Sequence, residues 1–150
     1  MKLNFFKIAI LSTILFFSSC EQEDIFEGII VKEFDFGRCF LPFGNELDEY
    51  VITNDSLYQN LLTLGSVVCD NYTLPEIDFT TYTLLCKYTV SDGEVKYYKR
   101  KVIKDESNMK YIYTIYMKCQ NNNKAEISMN CILVPQLPDN YSVEFVVIIS

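Results

Sequence analysis

From Phe79 onward the apolar residues recur with a period of two, and this spacing points to a sheet-dominated fold. "TYTLLCKYTV" (81–90) and "EVKYYKRKVI" (94–103) flank Ser91-Asp92-Gly93. Asp-Gly between two such runs predicts a hairpin whose central residues take positive φ. A third strand is predicted in "MKYIYTIYMK" (109–118), a fourth in "AEISMNCILV" (125–134) and a fifth in "YSVEFVVII" (141–149). In the fifth, Tyr141, Val143, Phe145, Val147 and Ile149 share one face. Pro135 and Pro138 fall between the last two strands, where they interrupt no ladder. Lys99 and Lys101 share the side of Tyr97, which predicts a bulge or an edge position.

Upstream, "GIIVKEFDF" (28–36) is β-branched and apolar and predicts a strand, and "GRCFLPFGN" (37–45) predicts a loop. Asn54 and Asp55 are cap candidates before Leu57, Leu61 and Leu64, a one-face helical spacing that stops at Gly65. The expected fold is α+β, with one helix packed on a curved antiparallel β-meander in a single domain over residues 28–150.

The first 19 residues carry Lys2 and Lys7, apolar runs at 8–11 and 14–17, then Ser18 and Ser19. That order is a secretory signal, too short to span a bilayer, which takes about 20 apolar residues. Phe17-Ser18-Ser19-Cys20 resembles the lipobox of bacterial lipoproteins, with Phe17 in place of the usual Leu, an aromatic variant similar to Bacteroidota-type signals. The resemblance implies cleavage before Cys20 and palmitate-type acylation of its thiol and amine. Two or more chains anchor a protein stably without a transmembrane helix. Glu21, Glu23, Asp24 and Glu27 then read as an acidic tether over residues 20–27 that keeps the domain off anionic headgroups. By the same resemblance they read as an export signal to the outer leaflet of the outer membrane.

Loss of residues 1–19 removes two of 13 basic side chains and none of the 20 acids, which leaves a net charge of −9 and disfavours a nucleic-acid partner. The chain has no histidine. Ser-His and Cys-His nucleophile arrangements and the usual histidine-ligated zinc enzymes are therefore excluded. No cysteine pair has the Cys-x2-Cys spacing of a closed metal site, and neither a metal nor a cofactor is expected.

"LPEIDFTTYTLL" (74–85) and "ILVPQLPDNYSVEFVV" (132–147) resemble small Bacteroidota lipoproteins of unknown function. Their order of helix, Ile-Asp-Phe segment, meander and late Val-Pro strand is similar to the C-terminal domain of protease-complex accessory lipoproteins (the PrcB type). The resemblance spans about the last hundred residues and implies a location and a fold. It carries no catalytic signature.

With Cys20 lipidated, Cys39, Cys69, Cys86, Cys119 and Cys131 remain. In the expected meander Cys86, Lys99, Thr114 and Cys131 form one row. Cys86 and Cys131 are then three strand spacings apart, roughly 14 Å, beyond a disulfide's reach unless the sheet curls. Cys119 and Cys131 lie about five residues apart along the ladder. Cys39 and Cys69, in loops flanking the helix, are the candidate disulfide. The other reading has all five as small buried hydrophobes.

Lys96, Tyr97, Tyr98, Lys99, Arg100 and Lys101 form the one basic cluster with aromatic interleaving, a candidate binding patch for an acidic protein or a glycan. The plainer and preferred reading is a solvated strand edge guarded by lysines against aggregation. Asp55-Ser56-Leu57 resembles a Bacteroidota O-glycosylation acceptor at Ser56, and also suffices as helix-cap chemistry. Asp48 with Glu49, and Asp105 with Glu106, are adjacent and point apart on a strand, unlike a glycosidase pair. The expected function is therefore a lipid-anchored, non-enzymatic envelope protein, periplasmic or surface-exposed, that binds a protein or glycan. The alternative implied by resemblance is an accessory or inhibitory subunit of a surface protease, docking through an exposed strand edge. A third, enzymatic reading would rest on carboxylates or a free cysteine.

Overall fold

The computed structural model of the chain describes residues 24–37, 39–42, 48–63 and 65–150. In order, the elements are β1 (Ile25–Gly28), β2 (Lys32–Glu33), β3 (Phe40–Pro42), β4 (Glu49–Ile52), α1 (Asp55–Leu62), β5 (Gly65–Val67), β6 (Tyr82–Ser91), β7 (Val95–Asp105), β8 (Lys110–Cys119), β9 (Glu126–Pro135) and β10 (Ser142–Ile149). Among the described residues the molecule is mostly β with one helix, broadly α+β.

A single meander is not what these strands build. One sheet has the order β1-β7-β8-β10, a second has β2-β9-β6-β4, and β3 pairs with β5 alone. Only β7 and β8 form the consecutive hairpin that the sequence predicts, and its register places Thr114 opposite Lys101 rather than Lys99. Strand β6 does not pair with β7 across Asp92-Gly93; it pairs with β9 and β4. The reason is burial: residues 83–89 are covered on both faces, so β6 needs a neighbour on each side and a layer above and below. The Asp-Gly turn therefore passes the chain from the second sheet to the first. Neither Asp92 nor Gly93 takes positive φ. Gly93 is glycine because a Cβ there would stand 2.1 Å from the Gln120 carbonyl oxygen.

The chain reverses at each crossing, so β10 returns to the first sheet in the direction of β8 and pairs with it in parallel. Strand β1 likewise runs parallel to β7 on the opposite edge. The segment 28–36 is not one strand: Gly28 (φ 82°) ends β1 against the Val102 carbonyl, and β2 belongs to the other sheet. Part of the segment read as loop, Phe40–Pro42, is a strand. A bulge does lie between Val95 and Tyr97.

Two apolar clusters fill the layers. Leu85, Tyr98, Val102, Tyr113, Ile115 and Ile132 pack between the two sheets, with Val143, Phe145 and Val147 of β10 against them. Phe34, Phe36, Ile52, Leu84, Leu133 and the helix residues Tyr58 and Leu61 fill the other face of the second sheet. Asn54 caps α1, its side chain accepting from the Leu57 N–H at 2.9 Å. The buried helical face is Tyr58 and Leu61; Leu57 is 43% exposed, and Leu64 lies outside the described residues.

Pairing β6 with β9 sets Cys86 directly opposite Cys131, and the two are bonded. The 14 Å separation expected from a meander is thereby corrected: these strands are neighbours. A second disulfide joins Cys39 to Cys69, and Cys119 carries a free thiol. Non-reducing peptide mapping is expected to recover Cys39–Cys69 and Cys86–Cys131 peptides, with Cys119 open to alkylation. Replacing Cys86 and Cys131 by Ala should lower stability by about 2–5 kcal/mol in urea unfolding.

Candidate functional site

Strand alternation splits the basic cluster 96–101 between two environments. Tyr98 and Arg100 turn inward with Val102, whereas Lys96 is exposed and Tyr97, Lys99 and Lys101 are half-exposed on the outer face of the first sheet. The six side chains therefore do not form one patch. Arg100, only 3% exposed, is the structural centre of the β1–β2 edge. Its Nη1 donates to Asp24 Oδ2 at 2.6 Å, and its Nε and Nη2 donate to Asn130 Oδ1 at 3.0 and 2.7 Å. Glu33 stands 3.5 Å from Nη2. The guanidinium also lies over Tyr98, 4.6 Å from the ring centre, and Phe26, at 5.4 Å. Asn130 passes the network to Thr89 Oγ1 at 2.8 Å, so the ion links β1, β7, β9 and β6.

Asp24 and Glu27, read from the sequence as part of a solvated tether, are engaged instead. Asp24 also accepts from the Tyr98 N–H at 2.7 Å, and Glu27 pairs with Lys99 at 2.7 Å and Lys101 at 3.9 Å. They are recruited because β1 adds to the edge of β7, whose lysines face it. The Lys99 hydrogen bond holds the Glu27 carboxyl below its ordinary value. Burial pushes Glu33 up, against the pull of Arg100.

At the opposite side, where β10 of the first sheet lies over β6 and β4 of the second, the layers part. Phe145, Val147 and Ile149 line one wall of a cleft of about 320 Å³; Lys87, Tyr88 and Val90 line the other. Lys87 is nearly buried and its Nζ stands 3.0 Å from Glu49 Oε1, so the cleft holds a paired cation in a largely apolar setting. A further hollow of about 390 Å³ continues it past Val90 and Ile149 toward Gly93 and Asn122. Burial pushes the Tyr88 hydroxyl up to about 12, and this hydroxyl has no hydrogen-bond partner among the described residues. The cleft was not legible in the sequence. Its walls, β6 and β10, are four strands apart in the chain, and Lys87 within an apolar run also fits a solvated strand.

The other predicted residues have structural surroundings. Cys20 lies outside the described residues. Ser56 is in the first turn of α1, beside its cap. Asp105 accepts from Ser107 and Asn108 in the β7–β8 turn. The two stretches "LPEIDFTTYTLL" and "ILVPQLPDNYSVEFVV" meet: the Gln136 N–H donates to the Thr81 carbonyl at 2.8 Å and the Leu137 N–H to Thr83 Oγ1 at 3.2 Å. Asp78 organises the turn before β6 through Thr80 and Thr81. Among the described residues no group of three or more Asp, Glu or Cys is placed to hold a metal. No family model, curated protein or solved structure matches the chain.

Two outcomes follow from the Arg100 edge. Arg100→Met should lower stability by about 2–4 kcal/mol in urea unfolding, toward the lower end for a broken buried pair because Asp24 retains some water. Glu27, whose folded value lies below the ordinary 4.5, contributes stability above that value and loses it as pH falls through the folded one. The urea midpoint should therefore fall between about pH 6 and about pH 3, and less steeply in Glu27→Gln. Glu33, shifted the other way, opposes this trend, so its replacement by Gln should steepen the fall.

Proposed function

We propose that the chain is a lipid-anchored protein of the bacterial cell envelope, cleaved before Cys20, whose β-rich body is a non-enzymatic binding domain. The observation that carries this reading is the pair of disulfides, Cys39–Cys69 and Cys86–Cys131. Such bonds persist in oxidising compartments outside the cytosol, where a signal of the form Phe17-Ser18-Ser19-Cys20 would deliver the chain. Among the described residues no helix is long and apolar enough to cross a membrane, and acyl chains on Cys20 would supply the attachment.

The Arg100 edge refines the arrangement. Asp24 is fixed to Arg100 and to the backbone of Tyr98, so only Glu21, Gln22 and Glu23 separate Cys20 from the packed body. Four residue steps reach at most about 14 Å. The domain would thus sit close to the headgroups with its β1 edge nearest the anchor, either in the periplasm or on the cell surface. Asp24 and Glu27 serve the fold as well as any export signal. A protein or glycan of the envelope is the class of partner in reach.

Intact-mass analysis of membrane-extracted protein is expected to show a chain starting at Cys20 with added acyl mass. Phase partition in detergent should move Cys20→Ser into the aqueous phase. An unmodified thiol at Cys20, or a retained Met1, would end the anchoring proposal.

A further inference from the structure

We infer that the outer edge of β10, together with the cleft behind it, is a binding groove for an extended segment of another polypeptide carrying apolar side chains at alternate positions. This deepens the reading as a binding domain and is independent of the anchor. Strand β10 ends the first sheet, and among the described residues no strand pairs along its outer side. The Ser142 N–H donates to the Met109 carbonyl at 3.1 Å, and the Ser150 N–H to the Met117 carbonyl at 3.0 Å. Even-numbered residues of β10 therefore bond to β8. Val143, Phe145, Val147 and Ile149 turn their N–H and C=O groups to the open edge. The row is about 20 Å long.

Edge strands are ordinarily guarded by lysine, proline or a bulge, and "SVEFVVII" has none of these. Its single charge, Glu144, is matched by Lys110 of the neighbouring strand. Backbone donors and acceptors at this repeat are complemented only by another extended backbone, which identifies the ligand as polypeptide. A strand added there directs every second side chain inward, into the cleft of about 320 Å³ beside Val147 and Ile149. Lys87 and Glu49 neutralise each other at the floor, so apolar, uncharged side chains fit it. A second copy of β10 could supply the backbone pairing, but its Val143, Phe145 and Val147 already pack on their own core. It would leave the cleft unfilled. The groove lies at the edge of the first sheet opposite β1, three strand spacings or about 14 Å from the anchored side.

The test uses the full-length chain in detergent micelles and a fluorescein-labelled eight-residue peptide of alternating threonine and valine closed by lysine at each end. Saturable anisotropy is expected below about 1 mM, with slowed amide exchange confined to residues 142–150. Val147→Pro removes an edge donor without touching a bond to β8 and should weaken binding about tenfold. Ile149→Pro, at a site 56% exposed, should do the same with less risk to the fold. Far-UV circular dichroism and the urea midpoint would verify that both variants are folded. Absence of saturation, protection elsewhere, or undiminished binding by both folded proline variants would overturn the groove. So would a solution dimer that both variants dissociate, because the occupant would then be a second copy. Any of these results with Cys20 still acylated would leave the anchoring proposal intact.

Discussion

Strand β6 has no solvent face between Thr83 and Thr89, and the remaining architecture is arranged around that constraint. A strand covered above and below has to lie inside a sheet, so the next strand in sequence cannot simply fold back beside an open edge. With β4 and β9 occupying its flanks, the chain leaves for a second layer at Asp92-Gly93, returns at Gln120–Ala125, and leaves again after Pro135. The Cys86–Cys131 bond, the parallel β8–β10 pair and the cleft between β10 and β6 all result from these three crossings.

The two edges where the layers meet are finished differently. At the β1–β2 edge a nearly buried guanidinium is satisfied by Asp24, Glu33 and Asn130 and flanked by two rings, which closes that side of the interior. Buried ions contribute little net stability against a hydrophobic substitute, but losing one partner is costly, so such a network favours one registration of the sheets over others. At the β10 side the Lys87–Glu49 pair stands in an open cleft beside a strand edge that carries no guard. The molecule is closed on one side and open on the other, and the open side lies away from Asp24 and β1.

Periodicity located β6 to β10 within a few residues, because side chains on a strand alternate whatever the strand pairs with. The helix was legible from Asn54 and Asp55, since a cap acts within one turn. Pairing was less legible. Asp-Gly is a strong local hairpin signal, yet here a carbonyl of Gln120 requires the glycine, and no local pattern encodes a contact 27 residues away. The run Leu84-Leu85-Cys86 was the available clue, because three successive buried positions mark a strand covered on both faces. The basic cluster misled for a related reason: Arg100 looks like its lysine neighbours in sequence, and only the approach of Asp24 and Asn130 draws it inward.

By itself the sequence determined the β content, the capped helix at Asp55–Leu62 and the missing imidazole chemistry, all of which depend on composition or on neighbours within a turn or a strand. The Cys39–Cys69 bond was also legible, from two loops flanking the helix. Tertiary structure alone decided which strands pair, that Cys86 meets Cys131, where Arg100 points and which edge is left open. Those outcomes depend on which surfaces bury each other, and burial is a property of layers brought together from distant parts of the chain.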